Sequence, residues 1–144
     1  MKQNKLPNSE TLKFEESYFE FHPMECGYLY IRIREHLHSP QPEALDGFQS
    51  RLLALITTHP IIIADIRAAK SPNKGLINWS IQLQKKAEPM VQAVGFVVKS
   101  PISTFIANLF SGFLRVSFKT KTFTSTEQAI EWAISIAPKG EKLH

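Results

Sequence analysis

The chain has 144 residues, 43% apolar and 21% charged, which suits one folded domain and excludes a globally disordered polypeptide. No apolar run approaches the roughly 18 residues that a membrane-crossing helix needs, so no transmembrane segment is expected. A single cysteine, Cys26, excludes an internal disulfide and suits the cytoplasm, while a formal charge of +4 favours anionic partners.

Residues 1–11 are polar and read as a loose tail, residues 12–137 as the domain, and residues 138–144 as a second tail. The opening basic residues have no apolar stretch behind them, so a secretory leader is not expected. Two strand-like segments, 12–22 and 27–37, flank the turn-forming Pro23-Met24-Glu25-Cys26-Gly27. In the second, Leu29, Ile31 and Ile33 alternate with Tyr28, Tyr30, Arg32 and Arg34, giving one core face and one wet face. A register that sets Glu16 beside Arg34 and Tyr18 beside Arg32 would pair opposite charges.

Residues 40–58 carry Leu45, Phe48, Leu52 and Ile56 at helical spacing, and His59-Pro60 stops that helix. Ile61-Ile62-Ile63-Ala64-Asp65-Ile66 has no polar alternation before its aspartate, the signature of a parallel strand covered on both faces. A loop through Ser71-Pro72 leads to a helix over 76–88, ended by Pro89. A second two-sided strand follows at 93–98. Ser100-Pro101 supplies an N-cap and a first-turn proline for a third helix. Residues 115–123 alternate as an edge strand guarded by lysines, and Ser125-x-x-Gln128 opens a last helix. The order β-β-α-β-α-β-α-β-α predicts an α/β domain: a single mixed sheet, an antiparallel hairpin followed by parallel strands with crossover helices.

That order, with the strand IIIADIR, the AVGFVV strand before a proline-capped helix, and the ending Phe123, Ser125, Ala129, Ile130 and Trp132, resembles the SpoIIAA-like proteins. These are STAS relatives also compared with the CRAL-TRIO lipid-binding fold. Members that antagonise anti-sigma factors carry a phosphorylatable serine directly after the aspartate-bearing strand. Here the stretch reads Asp65-Ile66-Arg67-Ala68-Ala69-Lys70-Ser71, so that role is transferred to no residue. The resemblance implies a regulatory or ligand-binding domain.

The charges are unevenly spread. Residues 1–65 hold nine acids and six Lys or Arg, whereas residues 66–144 hold four acids and eleven Lys or Arg. If the two central strands are parallel, Asp65, Arg67, Lys70, Lys74 and Lys99 gather at one end of the sheet beside two helix N-termini, a natural anion site. In the plainer alternative Asp65 caps its turn, Arg67 pairs with it and the lysines are solvated. The third helix is rich in Phe105, Phe110 and Phe113, which suits core, a subunit interface, or the wall of an apolar pocket for a lipid-like acid.

Catalytic signatures are missing from the sequence. His36 and His38 have no evident further ligands, so no metal is expected. Cys26 lies in a turn without a helix start to activate it. Glu15 and Glu16 point to opposite strand faces, and neither a Gly-rich phosphate loop nor a Gly-x-Ser-x-Gly elbow occurs. No enzyme activity and no cofactor are expected. Nucleic acid is not expected either, because Phe118 and Phe123 fall on different faces of the Lys119–Lys121 strand. The expected function is binding of an anionic or amphiphilic small molecule at the strand ends, with a protein-interaction module or homodimer as the alternative.

Overall fold

Residues 12–22, expected as one strand, form parts of two: β1 (Glu10–Phe14) and β2 (Ser17–Pro23), paired antiparallel from Phe14 opposite Ser17 to Glu10 opposite Phe21. The computed structural model describes residues 10–14, 17–35, 42–68, 74–108 and 118–137. β2 then pairs antiparallel with β3 (Tyr28–Glu35) across a turn in which the Met24 N–H donates to the Tyr28 carbonyl at 2.9 Å. Gly27 takes φ 96° in that turn, the left-handed region where a side chain is strained. Closure of the turn sets Pro23 opposite Leu29, hence Glu20 opposite Arg32 and Phe19 opposite Ile33. The expected pairing of Tyr18 with Arg32 is therefore replaced, and a bulge between Tyr18 and Phe19 puts Tyr18 opposite Glu35. Turn geometry outranks exposed charge pairing because it fixes every pair at once.

From β3 onward the strands are parallel. α1 (Pro42–Ile56), α2 (Lys74–Ala87) and α3 (Pro101–Asn108) connect β3 to β4 (Ile61–Asp65), β4 to β5 (Ala93–Val97) and β5 to β6 (Lys119–Phe123). A short 3-10 turn, Glu88–Met90, carries Pro89 at the end of α2. Among the described residues six strands lie side by side in sequence order. Each crossover thus steps the same way, and right-handed connections then put all three helices on one face. Phe48 of α1 lies at the centre of that layer, its ring 4.8 Å from Phe19 and 6.0 Å from Trp79.

The other face is covered by α4 (Thr126–Ile136), capped by Ser125, whose Oγ accepts from the Gln128 N–H at 3.3 Å. The buried Ala129 and Ala133 let α4 lie close to the strands. Trp132 lies over Gly95: a Cβ there would stand 2.8 Å from Trp132, 3.1 Å from Phe123 and 3.2 Å from Ile63. Tyr28 and Tyr30, expected on a wet face, are buried beneath this helix. Strand alternation separates the two faces, but it does not say that a distant helix will cover the second.

Candidate functional site

Asp65 ends β4 on the α4 face, in line with Ile61 and Ile63, and only 2% of its surface is exposed. Parallel register sets Arg32 directly opposite it, which leaves Tyr30 two residues back on the same face. Tyr30 Oη donates to Asp65 Oδ2 at 2.6 Å. Arg67 turns back with a two-pronged grip, Nε to Oδ1 at 2.9 Å and Nη2 to Oδ2 at 2.7 Å, and its backbone N–H adds a 3.3 Å bond to Oδ1. Arg32 Nε stands 3.7 Å from Oδ2. Thr126, the first residue of α4, hydrogen-bonds to Tyr30 and so ties the helix start to the same cluster.

Burial alone would raise the Asp65 pKa, but the hydrogen bonds from Arg67 and Tyr30 outweigh it and hold the carboxyl below its ordinary value. Burial, then the neighbouring carboxylate, pushes the Tyr30 phenol up, and burial pushes Tyr28 up to about 12. At neutral pH the cluster is one carboxylate clamped by two guanidiniums and a neutral phenol. Both Asp65 oxygens are engaged, which suits a structural latch between β3, β4 and α4 rather than a proton acceptor. Burial likewise pushes the Cys26 thiol up, away from thiolate character.

The remaining strand-end residues are placed as follows. β4 and β5 are parallel, with Asp65 opposite Val97, so Lys99 does emerge at the same end of the sheet and is exposed. Lys74 is the first residue of α2 and is exposed, while Lys70 and Ser71 lie outside the described residues. The start of α3 is already engaged. Buried Ser103 Oγ accepts from the N–H groups of Lys99 at 2.9 Å and Ser100 at 3.0 Å, and Ser100 Oγ accepts from the Ser103 N–H at 3.1 Å. On α3, Ile106 is buried, whereas Phe105 is 54% and Ile102 41% exposed. Phe110 and Phe113 lie outside the described residues.

A second feature occupies the opposite face of the sheet. A cavity of about 180 Å³ lies between the strands and the crossover helices, walled by Phe19, Ile62 and Phe96 from the sheet and by Phe48, Trp79 and Leu83 from the helices. It reaches the strand-end rim at Ile33 and Ile66 and extends back to Ala87 and Val91. The greasy third helix contributes Ile106 to the lining. The apolar wall and the Asp65–Arg67 pair thus stand on opposite sides of the sheet, because Ile62, Ala64 and Ile66 alternate with Ile61, Ile63 and Asp65. Among the rim cations, Lys74 belongs to a helix that lines the chamber. Strand patterning alone contained no sign of the void, since the residues around it are ordinary core types. Nor did it single out Tyr30, Arg32 or Ser103, whose partners lie on other elements or in a turn.

Residues 24–137, from the β2–β3 turn to the end of α4, match the model of a domain of unknown function, DUF7793. The chain belongs to that family. The matched region of the DUF7793 domain holds the Asp65 latch and helices α1–α4, and leaves out β1 and β2. The fold is SpoIIAA-like, as the sequence motifs implied. It is similar to the crystal structure of an uncharacterised DUF3478-family protein with a SpoIIAA-like fold from Shewanella loihica PV-4. The two chains are 13% identical, with a TM-score of 0.60 over 92% of this chain and 98% of that one. No curated protein matches the sequence. Among the described residues, no helix of this DUF7793 domain is long and apolar enough to cross a membrane.

Proposed function

We propose that this DUF7793 domain is a non-catalytic, cytoplasmic ligand-binding module whose chamber between the sheet and α1–α3 takes up a small apolar or amphiphilic molecule. The observation that carries the reading is the apolar cavity of about 180 Å³. Protein interiors are close-packed, so an apolar space of this size among core side chains is a natural place for an apolar guest. A chamber of roughly this size, about 150 Å³, accommodates benzene in an engineered protein. A longer amphiphile extends to the rim, where Lys74 and Lys99 meet its charged end. Asp65 and Arg67 hold that rim in shape. The engagement of both Asp65 oxygens supports the non-catalytic part of the reading.

Thermal unfolding with benzene, octanoate and inorganic phosphate tests it. Benzene and octanoate raise the melting temperature, because a ligand that binds only the folded state stabilises it. Ala64→Leu, which projects into the chamber, abolishes both shifts. A shift with phosphate alone would move the site to the rim; no shift with any of the three would remove the reading. The exposed Ile102 and Phe105 favour a second reading, self-association through α3. Light scattering of the wild type and of Phe105→Lys checks it, and a one-chain mass for the wild type at high concentration ends it.

A further inference from the structure

Ala64 stands in β4, a strand with a neighbour on either side and helices over its chamber face, yet it is half-buried. Ile61, Ile62, Ile63, Asp65 and Ile66 around it are all buried. A side chain this small, deep in a sheet, keeps exposed surface only where the layer above leaves a gap over it. The chamber is that gap, and Ala64 is part of its floor.

Four large buried side chains ring Ala64 on the same face. Parallel register sets Ile31 of β3 and Phe96 of β5 directly opposite it, and Ile62 and Ile66 lie two residues before and after. Neighbouring strands stand about 4.8 Å apart, so the floor dips at Ala64 over roughly the width of one side chain. An isoleucine at position 64 would fill the dip from within the protein; alanine leaves that volume to a guest. The wall around it is carbon almost throughout, including the parts of Ser80 and Gln84 that reach it. A guest atom that needs a hydrogen bond would leave water and find no partner there.

We propose that Ala64 is the size-selecting residue of the chamber, and that the ligand seats on it a compact hydrocarbon group, about one ring in size, with no hydrogen-bonding atom. The inference rests on the chamber being a ligand site and adds which residue sets the size of the guest and which chemistry is refused. Any polar end of the ligand points away from Ala64, toward the rim. In a hydrophobic pocket one methylene more or less changes binding by about tenfold or more, so carbon atoms added or removed at position 64 re-rank ligands by size.

The test titrates the full chain calorimetrically with toluene, phenol and propylbenzene, in wild type, Ala64→Gly and Ala64→Val. Toluene and phenol have nearly the same shape, and wild type binds toluene more tightly by about tenfold or more, because phenol brings a hydroxyl that the wall cannot satisfy. The ratio of propylbenzene to toluene affinity rises in Ala64→Gly and falls by about tenfold or more in Ala64→Val. Without ligand, Ala64→Val melts at or above the wild-type temperature, because valine suits a strand and its methyl groups enter open space. A melting temperature well below wild type for Ala64→Val would show that the space above Ala64 is absent and would overturn the proposal. Phenol binding as tightly as toluene would overturn the refusal of polar groups. An affinity ratio that stays constant across the three proteins would remove Ala64 as the selector while the chamber stands. Binding of none of the three probes to wild type would overturn the chamber and the selector together.

Discussion

Gly95 is the position where one added methyl group is felt most. Its missing side chain is the space that Trp132 uses, with the ring edge 2.8 Å from where a Cβ would stand and Phe123 and Ile63 at 3.1 and 3.2 Å. Ile63 ends in a movable methyl, but the indole is rigid and anchored on α4, so the helix itself must shift. Overpacking of this kind costs about 1–3 kcal/mol, and the loss of unfolded-state freedom from Gly to Ala offsets about 0.4–1 kcal/mol. Gly95→Ala is therefore destabilising by about 1–2 kcal/mol net, roughly 3–10 °C in melting temperature for a chain of this length. Urea unfolding followed by far-ultraviolet circular dichroism measures it without relying on the tryptophan. In a Trp132→Leu background the clash is absent and the cost of Gly95→Ala falls below about 0.5 kcal/mol, so the two substitutions couple. A neutral or stabilising Gly95→Ala, or an equal cost in both backgrounds, would show that α4 does not rest on this glycine.

Two other substitutions probe the strand ends. Asp65→Asn leaves Arg32 and Arg67 without their carboxylate and costs about 2 kcal/mol, read from the urea midpoint. The folded-state pKa of Asp65 lies below its ordinary 3.8, so its stabilisation is present above that value and is lost as the pH falls through the folded pKa. Wild-type stability accordingly declines on the acid side, and Asp65→Asn flattens that limb; an unchanged limb would mean that the latch contributes nothing. Ser103→Ala strands the N–H groups of Lys99 and Ser100, costs about 2 kcal/mol, and speeds hydrogen exchange at those two amides, whereas unaltered exchange there would count against the cap.

Local physics made much of this fold legible in the chain. Apolar runs such as Ile61–Ile63 demand cover on both faces, proline and serine mark helix ends at Ser100-Pro101 and Ser125, and lysines guard the edge strand β6, so the parallel α/β plan follows from residue type and spacing. The first segment was harder, because its single alternating run hides the break between β1 and β2, and a turn, rather than charge pairing, sets the register with β3. Asp65 was visible as a charge at a strand end, and its pairing with Arg67, two residues on, was one of the two readings the chain offered; its engagement by Tyr30 and Arg32 depends on which strand lies beside it. The chamber was invisible for the same reason. A void is the gap between side chains from five or more separate elements, and no local pattern encodes how closely those elements meet. Sequence determined which faces are apolar and where the elements end, because those are properties of neighbouring residues. Tertiary structure alone decided what covers each face and what is left unfilled, because those depend on contacts between residues far apart in the chain.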